Sequence, residues 1–260
     1  MAGRLFVVII VCCLISELHA QTNYCTKTYC PAAVQNVGCN PPETSGGPGC
    51  SGKSPIVVVL NATLQSLILT EHNTRRSQLA LGRVAPFLPA IRMPTITWDT
   101  ELANQAGNNA RNCTFANDRC RNTAVYAWVG QNLALTKFFG ITKTIEQLLK
   151  EAIESWWSGY SVTTQAQLNS YPRSITGPGI GLFTQMVSDQ TAKMGCALQH
   201  WMQSPFKVYY LVCNYAVTNV VGTRVYKNGT VGSGCATGRN PIAALNGLCS
   251  IAEKINPLPN

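Results

Sequence analysis

The chain has 260 residues, 46% of them apolar and only 12% charged, with a formal net charge of +9. An apolar share of that size excludes wholesale disorder, and the length suffices for one sizeable core. The basic residues form no run of five or more, so the charge does not read as a nucleic-acid-binding arm. At the start, Arg4, an apolar run over 5–15 and the small residue Ala20 predict a secretory signal peptide over 1–20, cleaved after Ala20. The run falls short of the roughly 20 residues a membrane span needs, and no later stretch reaches that length. The expected location is therefore secreted and extracellular, with no transmembrane segment.

Residues 21–60 form an extension rich in Cys, Pro and Gly. Asn40-Pro41-Pro42 and Ser45-Gly46-Gly47-Pro48-Gly49 sustain neither helix nor strand. Leu60, Leu64, Leu67 and Ile68 then recur at three- and four-residue steps and predict a first helix, capped by Asn61 or Thr63. Pro86, Pro89 and Pro94 make the following segment irregular. Thr100 is the expected cap of a second helix reaching about Arg111. A third helix is expected from about Lys143 to Trp157, with Ile145, Leu148, Leu149, Ala152, Ile153 and Trp156 as its apolar stripe. Strand signals dominate later, over 194–201 and 207–217 on either side of Ser204-Pro205. A third strand is expected over 220–226, followed by a turn at Asn228-Gly229. Helices first and strands later predict an α+β domain over 61–231, with a short tail over 232–260.

Cys12 and Cys13 leave with the signal peptide. The remaining ten are Cys25, Cys30, Cys39, Cys50, Cys113, Cys120, Cys196, Cys213, Cys235 and Cys249. An even count in an exported chain reads as a disulfide framework, and the spacings do not fit paired zinc ligands. Asn61, Asn112 and Asn228 stand in glycosylation acceptor sequences. Asn112 is the least suited of the three, because its neighbour is a bridging cysteine.

Two segments resemble the signature motifs of the CAP superfamily, which takes in cysteine-rich secretory proteins, antigen-five venom allergens and plant pathogenesis-related proteins. They are Gly181-Leu182-Phe183-Thr184-Gln185-Met186-Val187 and Tyr210-Leu211-Val212-Cys213-Asn214-Tyr215-Ala216, the latter followed by Thr218-Asn219. Glu71-His72-Asn73, Gly130-Gln131-Asn132-Leu133-Ala134 and Trp156-Trp157 occur in the matching order. Tyr24-Cys25 and the segment from Cys235-Ala236-Thr237-Gly238 to Leu248-Cys249 resemble the insect antigen-five branch. The resemblance implies a three-layer α-β-α sandwich. It also implies the pairings Cys25–Cys39, Cys30–Cys120, Cys50–Cys113, Cys196–Cys213 and Cys235–Cys249.

Many members of that family line a central cleft with two His and two Glu, a set suited to a divalent metal such as zinc. Carried over position by position, the resemblance puts His72 at the first His, Leu182 at the second, and Gln131 and Gly159 at the two Glu. Leu and Gly cannot ligate and Gln is a weak neutral donor, so no metal, cofactor or catalytic residue is expected. His72 reads as a cleft residue bonded to a backbone group, and His200 as structural. Ser188-Asp189 lacks both a nucleophile elbow and a base.

The positive charge suits an anionic glycan or lipid surface, or serves solubility; nucleic acid is not an expected partner of an exported chain. Phe138-Phe139 beside Gly140, and Trp156-Trp157, would line an apolar groove or belong to the core. The expectation is a secreted, non-enzymatic protein of the antigen-five type that binds an extracellular protein or a small hydrophobic ligand. The alternatives are a lipid or sterol carrier, or a secreted hydrolase or protease.

Overall fold

The computed structural model describes residues 22–26, 29–174 and 179–256. The expected signal peptide and its cleavage point lie outside them. The centre is one sheet of β1 (Ile56–Val58), β2 (Thr97–Trp98), β3 (Gly130–Phe138), β4 (Lys193–Gln203) and β5 (Phe206–Tyr215). The strand order is β1-β4-β5-β3, all antiparallel, and β2 runs parallel to the start of β4.

Side chains of β5 alternate between two cores, as period-two geometry demands. Leu211, Cys213 and Tyr215 face α1 (Ala62–Ala80), α3 (Ile145–Trp157) and α5 (Ile180–Met186), where Ile68, Leu149, Ile153, Trp156 and Phe183 are buried. Val208, Tyr210 and Val212 face α2 (Thr100–Ala110), packing with Ala106, Ala110 and Trp201. Helices on both faces of one sheet make the three-layer α-β-α sandwich. Each fully buried large side chain contributes about 1.5–3 kcal/mol. Gly195 lets the layers approach on the α2 side. A Cβ there would lie 2.3 Å from both the Ala103 nitrogen and the Asp99 carbonyl oxygen.

Helix starts follow local chemistry. Asn61 Oδ1 accepts the Leu64 N–H at 3.0 Å and caps α1. Asp99, not the expected Thr100, caps α2 through the Leu102 N–H at 2.9 Å. Its carboxylate is the stronger acceptor at that dipole end. Thr144 and Gln147 form a reciprocal capping box at α3. A short α4 (Gln165–Asn169) and α5 had no strong periodic signal, because five and seven residues are too few to show one.

The segment over 220–226 is not a strand. Gly222 has φ 79° and interrupts the extension, and the backbone bonds go to groups outside the sheet: Val225 N–H to Leu168 O, Tyr171 N–H to Thr223 O, Gly222 N–H to Tyr171 O, and Asp189 N–H to Val225 O. β3 is a strand that alternation did not reveal, since Gln131, Asn132, Thr136 and Lys137 dilute its apolar pattern.

Five disulfides staple the fold: Cys25–Cys39, Cys30–Cys120, Cys50–Cys113, Cys196–Cys213 and Cys235–Cys249. Cys196 and Cys213 are directly opposed across β4 and β5. The tail is held by Cys249 N–H to Met93 O at 2.7 Å and Gly247 N–H to Ser77 Oγ at 3.1 Å, and Leu248 sits in the main core. Among the described residues no helix is long and apolar enough to cross a membrane.

Candidate functional site

His72 projects from the middle of α1 into the interior and is 0% exposed. Its Nδ1 lies 2.8 Å from the Ile68 carbonyl oxygen, one turn back. A carbonyl only accepts, so Nδ1 carries the proton and Nε2 is the acceptor. The Tyr215 hydroxyl, 2.9 Å from Nε2, therefore donates to it. Asn132 Nδ2 donates in turn to the Tyr215 oxygen at 3.3 Å and to the Leu182 carbonyl at 3.0 Å. Burial pulls the imidazole down from 6.5 to about 4; the Ile68 carbonyl opposes this and the Arg76 and Arg75 charges reinforce it. Burial also pushes the Tyr215 phenol far above its ordinary range. The imidazole is neutral, and both its nitrogens are bonded.

The four positions singled out in the sequence are not gathered. Gln131 and Leu182 line a polar cleft of about 350 Å³, together with Asn117, Arg121, Asn132 and Gln185. His72 lies behind that cleft, screened by Tyr215 and Asn132. Gly159 is buried in a short turn after α3 and does not line the cleft. A Cβ at 159 would stand 2.3 Å from the Gly179 carbonyl oxygen, so this position requires glycine and a glutamate there would displace the start of α5. Among the described residues no three His, Cys, Asp or Glu side chains come together. The Asp118 carboxylate, bonded to the cleft residues Arg121 and Gln131, accepts from Arg121 Nε at 2.7 Å, Gln131 Nε2 at 2.8 Å and Asn109 Nδ2 at 2.9 Å. The residues present do not fit a divalent metal.

The other candidates also resolve into structure. His200 Nδ1 bonds the Val208 carbonyl at 2.9 Å, and its ring stacks on Tyr209 at 4.3 Å. Asp189 accepts from Gln190 Nε2 at 2.6 Å and the Lys227 N–H at 2.9 Å; burial raises its pKa, against those bonds and the charge of Arg76. Trp156 is fully buried, donating Nε1 to the Leu133 carbonyl at 2.9 Å, and belongs to the core; Phe139 is 64% exposed. Asn61 and Asn228 are exposed, whereas Asn112 is half-buried with Nδ2 on the Asn108 carbonyl at 3.2 Å.

Two features escaped the sequence. Arg76 is 0% exposed and donates to four carbonyls, of Met186 (2.7 Å), Ser188 (2.9 Å), Pro94 (2.9 Å) and Thr191 (3.2 Å). Burial lowers its pKa to about 9, with Asp189 opposing. It is an internal strut, not a surface cation, and the neighbouring Arg75 is tied to Glu71 and Glu154. The second is an apolar hollow of about 550 Å³ beside the polar cleft, walled by Trp128, Val217, Val220, Val221 and Val225. The valine clustering was visible in sequence but was read as a strand.

The Cysteine-rich secretory protein family (CAP) profile matches residues 69–215. The chain is 41% identical over 242 residues to Venom allergen-1 of Aedes aegypti, covering 93% of this chain and 92% of that protein. It is 31% identical over 206 residues to Antigen 5 like allergen Cul n 1 of Culicoides nubeculosus, covering 76% and 91%. Among solved structures, NaASP2 with Zn2+ superposes with a TM-score of 0.60 at 24% identity, over 80% of this chain and 99% of that one, which bears on the fold alone.

Proposed function

The chain belongs to the cysteine-rich secretory protein (CAP) family, and from that premise we propose that it is a secreted, non-enzymatic binding protein of the antigen-five type. Its partner is an extracellular protein or a small hydrophobic ligand. The observation that carries this reading is the closed hydrogen-bond chain from Asn132 through Tyr215 to His72. It engages Nε2, and the Ile68 carbonyl engages Nδ1, so the imidazole presents neither a ligand lone pair nor a general base to the cleft. The disulfide framework supports an oxidising, extracellular setting, and so does the likeness to proteins named venom allergens.

The test uses the purified secreted protein in native mass spectrometry, after equilibrium dialysis against zinc. A bound organic mass or a co-purifying protein, with zinc below one equivalent, is the expected result. Stoichiometric zinc that disappears in His72→Ala, or substrate turnover that disappears in the same variant, would overturn the reading.

A further inference from the structure

The polar cleft and the apolar hollow meet at three shared residues, Tyr171, Thr218 and Asn219, so they form the two halves of one groove. In the polar half the carboxamide nitrogens are committed to the protein. Gln131 Nε2 donates to Asp118 Oδ2 (2.8 Å) and Asn214 Oδ1 (3.0 Å), and Asn117 Nδ2 to Gln131 Oε1 (2.9 Å). Asn132 Nδ2 donates to the Leu182 carbonyl (3.0 Å) and Asn219 Nδ2 to the Gly181 carbonyl (2.9 Å). Those acceptors fix which end of each amide is oxygen, and leave the oxygens of Asn117, Asn132 and Asn219 for a ligand. Among the described residues Arg121 is the one charged side chain lining this half; its charge is paired with the Asp118 carboxylate, and three of its five N–H groups go to that carboxylate, to the Asp118 carbonyl and to the Val129 carbonyl (2.9 Å).

A compartment that is polar and whose one lining charge is already paired with Asp118 selects its occupant. An ionic head would lose water without meeting a counter-charge. An alkyl head would strand the amide oxygens. Hydroxyl groups satisfy them. The other half offers Trp128 and Val221, which are 49% and 50% exposed, an apolar lining left open to solvent. Arg224 stands at its far rim, where its charge acts on Asp189. Both hollows fall within the roughly 300–1,000 Å³ usual for small-molecule sites.

We propose that this groove binds a single-chain lipid with an uncharged polyhydroxyl head, the head among Asn117, Asn132 and Asn219 and the chain along Trp128 and the valines of 217–225. The inference rests on the reading of the chain as a binding protein and names the site and ligand class. The experiment is calorimetric titration with octyl glucoside below its micelle concentration, beside octanoate and octylamine, which share the chain and carry charged heads. Expected is saturable one-to-one binding of octyl glucoside, roughly tenfold tighter than either charged probe. Val221→Glu, at an exposed position, should weaken it at least about tenfold with an unchanged circular dichroism spectrum, as should Asn117→Leu. Equal binding of all three probes, preference for octanoate through Arg224, or no binding would each overturn the proposal. Failure here alongside a different co-purifying partner would leave the binding-protein reading intact, whereas His72-dependent turnover or zinc would remove that reading itself.

Discussion

The Tyr215 hydroxyl donates to His72 Nε2 across 2.9 Å inside a core that admits no water to either group. This contact occupies Nε2 of an imidazole that burial keeps neutral, and joins α1 to the end of β5. It also makes folding stability depend on pH. The folded-state pKa of His72 is depressed from 6.5 to about 4. The unfolded chain therefore takes up the proton first as pH falls. The stabilisation is complete above about 6.5 and is lost progressively down to about 4, a total of about 3 kcal/mol. Asp189 acts the other way, because burial raises its pKa and so favours the folded state in acid. Comparing wild type with His72→Leu isolates the imidazole. The variant should be less stable at pH 7.5, and the gap should close by about 3 kcal/mol towards pH 4 in urea titrations. A gap independent of pH would mean that the imidazole is not held neutral.

The same chain predicts the behaviour of Tyr215→Phe. The ring keeps its packing, but His72 Nε2 loses its donor, while Asn132 Nδ2 keeps the Leu182 carbonyl. One buried acceptor left unpaired costs about 1–3 kcal/mol. Because His72 and Tyr215 form one unit, His72→Leu with Tyr215→Phe should cost clearly less than the sum of the two single variants in a double-mutant cycle. Strict additivity would show that the bond does not couple them.

How much of this was legible beforehand depended on the kind of signal. The three long helices and the β4–β5 pair were readable because their apolar periods run for ten residues or more, and the motif order implied the sandwich. That Leu182 offers no ligand atom was readable from its residue type alone, since leucine cannot bind a metal wherever it points. The sealing of His72 was not, because it depends on Tyr215, 143 positions away. Gly159 looked like a missing carboxylate, yet the structure uses it for close approach to the Gly179 carbonyl, a backbone contact with no side-chain pattern. Arg76 is distinguished from its neighbour Arg75 by nothing in the sequence. Its burial follows from carbonyls at 94, 186, 188 and 191 that only the fold assembles.

Metal removal gives a third expectation. A tight native zinc site would add about 4 kcal/mol of stability at a thousandfold excess of free metal over its dissociation constant. With His72 occupied on both nitrogens and Asp118 engaged by Arg121, Gln131 and Asn109, no such linkage is expected. The thermal midpoint should be the same in chelator and in micromolar zinc. A rise of several degrees with zinc, absent in His72→Ala, would show that the imidazole turns outward to ligate.

Arg76 gives the strongest expected effect. Its guanidinium ties α1 to the segment that leaves α5 and to Pro94, and its Nε has no hydrogen-bond partner among the described residues. Arg76→Met keeps much of the aliphatic volume but takes a donor from four carbonyls, of which that of Ser188 keeps the Thr191 N–H at 3.4 Å; each one left dry costs about 1–3 kcal/mol. Part of this is recovered, since the desolvation cost of a buried cation also disappears. The net expectation is a loss of about 3–5 kcal/mol in urea unfolding, with Arg76→Lys less damaging because an ammonium supplies three of the donors. Since Ser188 and Gln190 line the apolar half of the groove, hydrogen exchange over 186–191 in Arg76→Lys should rise before it rises in β4 and β5. Uniform acceleration across the sheet would mean that Arg76 supports the whole core and not this one segment.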